Sequence, residues 1–383
     1  MLNFYAYPGQ AIFKATPMTI IRQFTPNWFA VTMGTGILSL LLNQLPGPLW
    51  PHAAGAALWR GNIALFALFS LLYAARCAIY PREAVRIFAH PVMPMFLGAI
   101  PMGLATIVNG TIVFAHDPRT ALWLWCADAA LAVLVGLGVP FAMFTHQTHR
   151  LESMTAVWLL PIVACEVTAA SAGVLLPHLA GPTALNVLLA GYALWALSVP
   201  LAMSVLVILF LRLVLHKLPH QDMAVTGWLA LGPLGTASLG LLLLGKAAPG
   251  ILTPLGLADA GLVAQGLGII GGLMFWAYGA WWLLMALAMT LTYLPRGLPF
   301  NMGWWGCTFP PGVFCAASFA LGAQTGAAFF TMLAVALTAL VGGFWLMVSL
   351  RTAAGAFSGA LFFSPCLNQT MDGPAANILV SAP

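Results

Sequence analysis

Long apolar runs recur along the whole chain and limit the folds that it can adopt. Ten of these runs are long enough to cross a hydrocarbon core of ~30 Å as helices. Charged residues make up 5% of the 383 residues and hydrophobic residues 62%, so a soluble domain of this length could not cover its surface. The sequence therefore predicts an all-α integral membrane protein that crosses the bilayer several times.

The apolar runs also predict the domain organisation. Residues 1–24 lack the apolar core and cleavage site of a signal peptide, and we expect a cytoplasmic N-terminal segment there. A ten-helix transmembrane domain is expected at 25–351 and a cytoplasmic C-terminal tail at 352–383. The ten spans are predicted at 28–45, 58–79, 92–115, 121–144, 154–176, 184–211, 226–245, 262–293, 304–321 and 327–350.

Basic residues in the loops predict the orientation of the chain. With ten spans, ten of the 13 lysines and arginines fall on one side of the membrane, and Arg60, Arg119 and Lys246 fall on the other. Loops rich in Lys and Arg stay in the cytoplasm. The sequence thus predicts a multi-pass protein of the plasma (inner) membrane with both termini in the cytoplasm.

Helix breakers are concentrated in the odd-numbered spans. Even spans are smoother, although Pro140 and Pro200 interrupt two of them. Breakers at membrane depth are tolerated where neighbouring helices or water satisfy the freed backbone groups. This pattern predicts five helical pairs, with the odd helices in an inner ring around a pore and the even helices outside. The alternative is that the small residues only allow close helix packing. The breakers are Gly34-Thr35-Gly36, Pro94, Pro101, Gly103, Pro161, Gly232-Pro233, Gly235 and Pro310-Pro311-Gly312.

The segment at 301–314, N-M-G-W-W-G-C-T-F-P-P-G-V-F, combines aromatic residues with two adjacent prolines. A helix that passes through Pro310 and Pro311 is expected to kink and to free carbonyl groups. Such backbone fits the wall of a water-filled path. We therefore predict that Phe309 occludes this path, the alternative being a packing phenylalanine beside an ordinary proline kink.

Only two acidic residues fall within the predicted spans, Asp128 in span four and Glu166 in span five. Buried acids in membranes often handle ions or protons, so both are candidates for proton coupling, Glu166 the better one. A polar packing contact is the alternative for each. No Lys or Arg lies deep in an odd span, so anion selectivity would depend on pore width and backbone dipoles.

Signatures of other protein classes are missing from the sequence. The six cysteines occur singly, and His146, His149, His216 and His220 are expected at cytoplasmic helix ends. No nucleotide-binding loop, catalytic triad or metal cluster is recognisable, so the sequence predicts no cofactor, no metal, no nucleic-acid partner and no enzyme activity. A membrane-embedded enzyme or a scaffold stays open as a different class.

Five motifs, in order along the chain, resemble the tellurite-resistance/dicarboxylate transporter family, which includes the plant slow anion channels. They are F-T-P-N-W-F-A-V-T-M-G-T-G, F-L-G-A-I-P-M-G-L-A-T-I, S-M-T-A-V-W-L-L-P, G-P-L-G and the 301–314 segment. The resemblance implies ten helices in five hairpins around a central pore, commonly in trimers with one pore per subunit. It also implies that Phe309 gates this pore. The expected pore-lining residues are Gly34, Thr35, Gly36, Pro101, Gly103, Pro161, Pro233, Gly235, Thr308 and Pro310.

Within this family the chain most resembles the fungal-type sulfite efflux pumps. The motifs P-M-G-L-A-T-I, H-K-L-P and P-F-N-M-G-W-W-G-C-T-F-P carry this likeness, which implies sulfite or bisulfite as the substrate. Glu166 departs from the pattern, because those pumps have small or apolar residues there. A proton-coupled C4-dicarboxylate permease for malate or succinate and a passive inorganic-anion channel are the alternatives.

Overall fold

The structure, a computed structural model, describes residues 16–47 and 49–362, and these residues form helices and short connections without a strand. Short helices at Pro17–Gln23 and Pro81–Arg86 lie outside the long ones. The predicted all-α membrane fold is confirmed. The ten long helices are α1 (Phe29–Gln44), α2 (Trp50–Ile79), α3 (Ala99–Val113), α4 (Pro118–Thr145), α5 (Leu160–Leu175), α6 (Gly181–His216), α7 (Leu231–Leu252), α8 (Ala258–Tyr293), α9 (Phe309–Thr325) and α10 (Ala328–Phe357).

Nine helical segments of the described residues are long and apolar enough to cross a membrane. The first predicted span, 28–45, falls on α1, which has 16 residues and is not among the nine. Helix α2 begins at Trp50, eight residues before the predicted start, and α10 continues to Phe357, past the predicted end of the domain. Most of the predicted C-terminal tail, from residue 363 onward, lies outside the described residues.

Odd-numbered and even-numbered helices differ sharply in burial. In the most apolar stretch of each span, 67% to 94% of the residues are buried for the spans of α3, α5, α7 and α9, against 17% to 39% for the five even helices. Helix α1 is buried from Phe29 to Leu41. The odd helices are therefore inner helices, and the even ones form an outer layer that faces lipid.

The inner helices close into a ring in chain order. Helix α1 packs against α3, α3 against α5, α5 against α7, α7 against α9, and α9 returns to α1. Each inner helix also packs against the outer helix that follows it in the chain, so the chain forms five antiparallel hairpins. The ring and outer layer that the helix breakers predict are both present.

Every inner span changes its helix type near the cytoplasmic end that the loop charges predict. A 3-10 segment comes first and an α-helix follows, whereas the five outer helices are continuous. The 3-10 segments are Pro26–Trp28, Met93–Gly98, Ala156–Leu159, Gln221–Ala230 and Met302–Cys307.

This change of helix type corrects the expected kink at Pro310 and Pro311. Both prolines lie in the first turn of α9, and Pro161 takes the same place in α5. The first turn of a helix has backbone N–H groups without helical partners, so a proline there costs no hydrogen bond. These prolines start α-helices instead of bending them.

Side chains at the entrances hold the 3-10 segments in place. The backbone N–H groups of Val92 and Met93 both donate to Nδ1 of His90, each at 3.1 Å. Burial lowers the pKa of His90, which favours the neutral ring that accepts these bonds. Asn301 Oδ1 accepts from the Gly303 N–H at 2.8 Å. Side-chain hydrogen bonds therefore fix the start of the inner spans that contain α3 and α9.

Candidate functional site

A small cavity lies at the centre of the ring, where the 3-10 segments meet the α-helices. All five inner spans contribute to it, and every side chain on its wall is apolar. The volume that water can occupy in it is about 10 Å³, which is about the space that one water molecule needs. It is therefore a constriction and not a wide channel. The lining residues are Met33, Met102, Leu159, Leu160, Val163, Leu229, Gly232, Pro233, Phe309 and Pro310.

Phe309 is the first residue of α9, and it is 3% exposed. The preceding residue, Thr308, donates its hydroxyl to the Trp305 carbonyl at 2.7 Å. The indole Nε1 of Trp305 in turn donates to Thr352 Oγ1 of α10 at 3.0 Å. The backbone that carries the Phe309 ring is thus tied to the outer layer, while the ring itself lies in the constriction.

Of the ten residues that the sequence predicts along the pore, Pro233 and Pro310 lie at the constriction with Phe309. Pro101 lies in the first turn of α3, beside Met102, and is buried outside this cavity. Pro161 lies at the seam between α3 and α5, where a Cβ on Gly98 would come 2.9 Å from its Cα.

The predicted glycines lie where neighbouring helices touch. A Cβ on Gly34 would come 2.2 Å from Thr308 Oγ1, and one on Gly36 would come 1.9 Å from Thr106 Oγ1. A Cβ on Gly103 would meet Thr32 Oγ1 at 2.4 Å. This geometry matches the packing alternative for Gly34, Gly36, Gly103 and Thr308.

Two further predicted residues also have helix partners. A Cβ on Gly235 would come 2.7 Å from the backbone N of Phe314, so this glycine sets the distance between α7 and α9. Thr35 accepts a hydrogen bond from Trp345 Nε1 of the outer helix α10 at 3.0 Å. Small residues thus keep the ring narrow, and their lining of a pore remains a prediction.

Glu166 is fully buried at the seam between α5 and α7. It follows Val163 of the constriction by three residues, and its partner Thr236 follows Gly232 by four, so the pair lies about one helical turn beyond the constriction. The Thr236 hydroxyl lies 2.6 Å from Glu166 Oε1 and 2.7 Å from the Gly232 carbonyl. Oε2 has no hydrogen-bond partner within 16–47 and 49–362.

The Thr236 contacts show what this carboxyl can do. A hydroxyl has one proton to donate and can accept as well. The Thr236 hydroxyl can therefore donate to the Gly232 carbonyl and at the same time accept a hydrogen bond from the O–H of a neutral Glu166. With an ionised Glu166, the two acceptors compete for the single hydroxyl proton. These contacts can therefore hold Glu166 in either protonation state. The ionised state is less favourable, because Thr236 cannot donate to both acceptors at once.

Asp128 occupies a different seam, between the outer helix α4 and the inner helix α5. Its Oδ2 lies 2.7 Å from the Thr168 hydroxyl, and Trp125 Nε1 donates to the Thr168 carbonyl at 2.9 Å. Like Glu166 it is fully buried, but it reaches an inner helix from outside the ring. The structure therefore separates the two acids: Asp128 lies between α4 and α5, and Glu166 lies between α5 and α7, next to Ser198 of the outer helix α6.

No cluster that could hold a metal ion occurs among the described residues. Within them, no three His, Cys, Asp or Glu side chains come together. Cys307 and Cys315 are buried as free thiols, and Cys366 lies outside the described residues. The chemistry at the centre of the ring is that of apolar side chains, backbone dipoles and one carboxyl.

A ring of five helices around a small apolar cavity, inside an outer layer of apolar helices, is an architecture suited to a membrane transport protein. Residues 23–353 match the voltage-dependent anion channel family, SLAC1. The chain belongs to this family, as the motifs predict.

Curated relatives include transporters with named substrates. The sulfite efflux pump SSU1 of Trichophyton rubrum is 39% identical over 352 residues, which cover 89% of this chain and 92% of that protein. An uncharacterized transporter of Methanocaldococcus jannaschii is 28% identical over 345 residues, covering 89% and 97%. The malic acid transport protein of Schizosaccharomyces pombe is 23% identical over 330 residues, covering 82% and 74%.

Proposed function

We propose that this protein exports sulfite or bisulfite across the plasma membrane through the centre of its inner ring, and that Phe309 closes this path. The constriction supports the proposal most directly, because all five inner spans meet there and the Phe309 ring lies in it. The similarity to sulfite efflux pumps over most of the chain supports the substrate. The Phe309 side chain must move aside before an anion can pass.

The helix geometry favours anions over cations at this level. The first turns of α3, α5, α7 and α9 all contribute to the constriction, and the N-terminal end of a helix carries a partial positive charge. None of the lining residues is charged. An anion would therefore be attracted by dipoles without a tight binding site, which suits rapid passage.

Glu166 couples a proton to this passage in the same proposal. Its carboxyl lies about one turn from the constriction and has an oxygen without a hydrogen-bond partner in the described part of the chain. A neutral carboxyl repels a passing anion less than a carboxylate does. Asp128 is the weaker candidate, since it lies outside the ring.

A proton-coupled C4-dicarboxylate permease is the second candidate function. The similarity to a malic acid transport protein favours it, and a buried carboxyl such as Glu166 fits proton coupling. A passive inorganic-anion channel differs from both by having no coupled proton.

The proposed function also includes an oligomeric state, a membrane location and an orientation. A homotrimer with one pore per subunit fits the family resemblance, and the loop charges support a plasma (inner) membrane location with both termini in the cytoplasm. Family membership supports the transport role, and the absence of an enzyme activity stays a prediction from the sequence.

Uptake into proteoliposomes that contain the purified protein tests the function. Labelled sulfite and labelled malate are compared at two pH values, with empty liposomes as the control. We expect sulfite flux well above malate flux. Malate flux that grows with an imposed proton gradient would favour the permease, and no flux of either anion would refute a transport function for these substrates.

A further inference from the structure

The inner helix α3 exposes different residues on its two faces. Within it, Ile100, Leu104, Asn109 and Val113 are partly exposed, and the residues between them are buried. At 100° per residue, Ile100 and Leu104 lie on the face opposite Met102 of the constriction, whereas Asn109 lies within about 20° of Met102. Ile100 and Leu104 therefore face outward, and Asn109 faces the axis of the ring.

Helix α7 shows the same change, from a buried residue at the constriction to a partly exposed residue seven positions later. Leu239 follows Gly232 of the constriction by seven residues, the same spacing as from Met102 to Asn109, and it is partly exposed between buried neighbours. Partial exposure at both positions indicates open space on the inner side of the ring beyond the constriction. We call the part of the path at this level, about two helical turns or ~10 Å past the constriction, the vestibule.

One vestibule position is polar and the others are not. Seven residues after the α-helical residues of the constriction, the five inner helices place eight residues at the vestibule level. They are Leu40, Asn109, Val167, Ala170, Leu239, Gly240, Ala316 and Ala317. Asn109 is the single polar residue among these eight positions.

The Asn109 carboxamide has no hydrogen-bond partner among residues 16–47 and 49–362. Its Oδ1 is buried without a partner, and no contact ties its Nδ2 to the protein. Other polar side chains of α3 are paired, since Thr106 and Thr111 donate to carbonyls of their own helix at 2.7 and 2.8 Å. The buried Oδ1 is an acceptor and cannot bind an anion, whereas the Nδ2 amide group donates no hydrogen bond to a described residue, so its two N–H groups are available to a ligand in the path.

We propose that Asn109 is a specificity-determining residue, which donates hydrogen bonds from Nδ2 to an oxyanion in the vestibule after the anion has passed Phe309. The inference rests on the proposed anion transport and adds a contact to it. A carboxamide offers two N–H donors without a fixed charge. It favours anions with several acceptor oxygens, such as sulfite, and releases them readily.

Two substitutions of Asn109 test this contact in proteoliposomes. Asn109→Leu removes the donors and should lower sulfite flux several-fold. Asn109→Asp adds negative charge to the path, so sulfite flux should fall at least tenfold, and the reversal potential in planar bilayers should shift towards lower anion selectivity. A folding defect would lower the flux but would not move the reversal potential.

Thr111→Val is the matched control, because Thr111 lies on α3 opposite the Met102 face and is buried. Its flux and selectivity should equal those of the wild type. The double variant Asn109→Leu/Leu239→Asn should recover part of the flux, since it returns an amide to the same level of the vestibule.

Three outcomes would overturn the assignment. Wild-type selectivity in Asn109→Asp would place Asn109 outside the path. Equal losses in Asn109→Leu and Thr111→Val would reduce its role to the packing of α3. If the wild-type protein itself moves no sulfite, malate or other anion, the proposed transport function fails first, and the vestibule contact fails with it.

Discussion

The inner and outer helices of this protein are similarly apolar but are packed in different surroundings. The outer helices expose most of their length to lipid, and the inner ones are buried against protein. Since lipid is as apolar as leucine, hydrophobicity does not tell the two sets apart. What separates them is the use of hydroxyl side chains and leading 3-10 segments, both of which are concentrated in the inner spans.

Glycines show a contrast between packed and open helix faces, and outer-helix glycines that face the inner ring, such as Gly272, are packed as closely as those of the ring. On the inner helices a Cβ at Gly34, Gly103 or Gly235 would lie within 2.7 Å of another helix. On the outer helices Gly138 and Gly342 have no heavy atom of another element within 4 Å of such a Cβ. The same residue type therefore sets the width of the ring in one layer and has no packing role at these positions in the other.

The largest expected effect is on thermal stability and comes from Gly235→Ala, which adds a methyl group where α7 packs against α9. Gly235→Ala places a Cβ against the backbone of Phe314, which cannot move as a side chain could, and overpacking of this kind costs about 1–3 kcal/mol. The apparent melting temperature in detergent should fall by several degrees, as followed by the loss of monodisperse protein.

Gly138→Ala is the control on the outer layer. It should leave the melting temperature unchanged or raise it slightly, because alanine is favoured over glycine in a helix by up to about 1 kcal/mol. Equal melting temperatures for the two variants would contradict the contrast between the layers.

The buried carboxyl groups of Glu166 and Asp128 provide a second comparison between positions of the inner and outer helices. We expect a smaller effect here, on the pH dependence of flux. Wild-type flux should rise as the pH falls, because protonation removes the charge of Glu166 beside the constriction. Glu166→Gln should hold the flux high and independent of pH. Asp128→Asn, the matched change at an inner-outer seam, should keep the wild-type pH profile.

Ratios of variant to wild-type flux at each pH remove the effect of pH on the substrate itself. A full wild-type pH profile in Glu166→Gln would return this residue to a packing role. Loss of the profile in Asp128→Asn instead would move the coupling out of the ring.

Much of the architecture could be predicted from the sequence, because helix breakers are tolerated only where protein or water surrounds them. Their alternation predicts the ring and the outer layer, and the placement of Phe309 at the centre follows from the same segment. The start of α2 was harder to predict, since Trp50, Pro51 and His52 read as a loop but form its first turn.

Other features of the site depend on contacts between helices that are distant in the sequence. Gly34 and Gly235 read as pore lining, although the structure places each against a neighbouring helix. The 3-10 segment that precedes α9 was not predictable from the sequence, although Pro310 and Pro311 are residues favoured in the first turn of an α-helix. Asn109 was missed, although its spacing of seven from Met102 would have placed the two on one face once Met102 was known to line the constriction.

The conductance of Phe309→Ala in planar bilayers tests the central claim most directly, with Phe329→Ala as the control. Phe309 is buried in the ring, whereas Phe329 is 62% exposed on the outer helix α10. We predict that the basal anion conductance rises several-fold in Phe309→Ala and stays at the wild-type level in Phe329→Ala. Wild-type conductance in well-folded Phe309→Ala would contradict a path through the ring that this side chain closes.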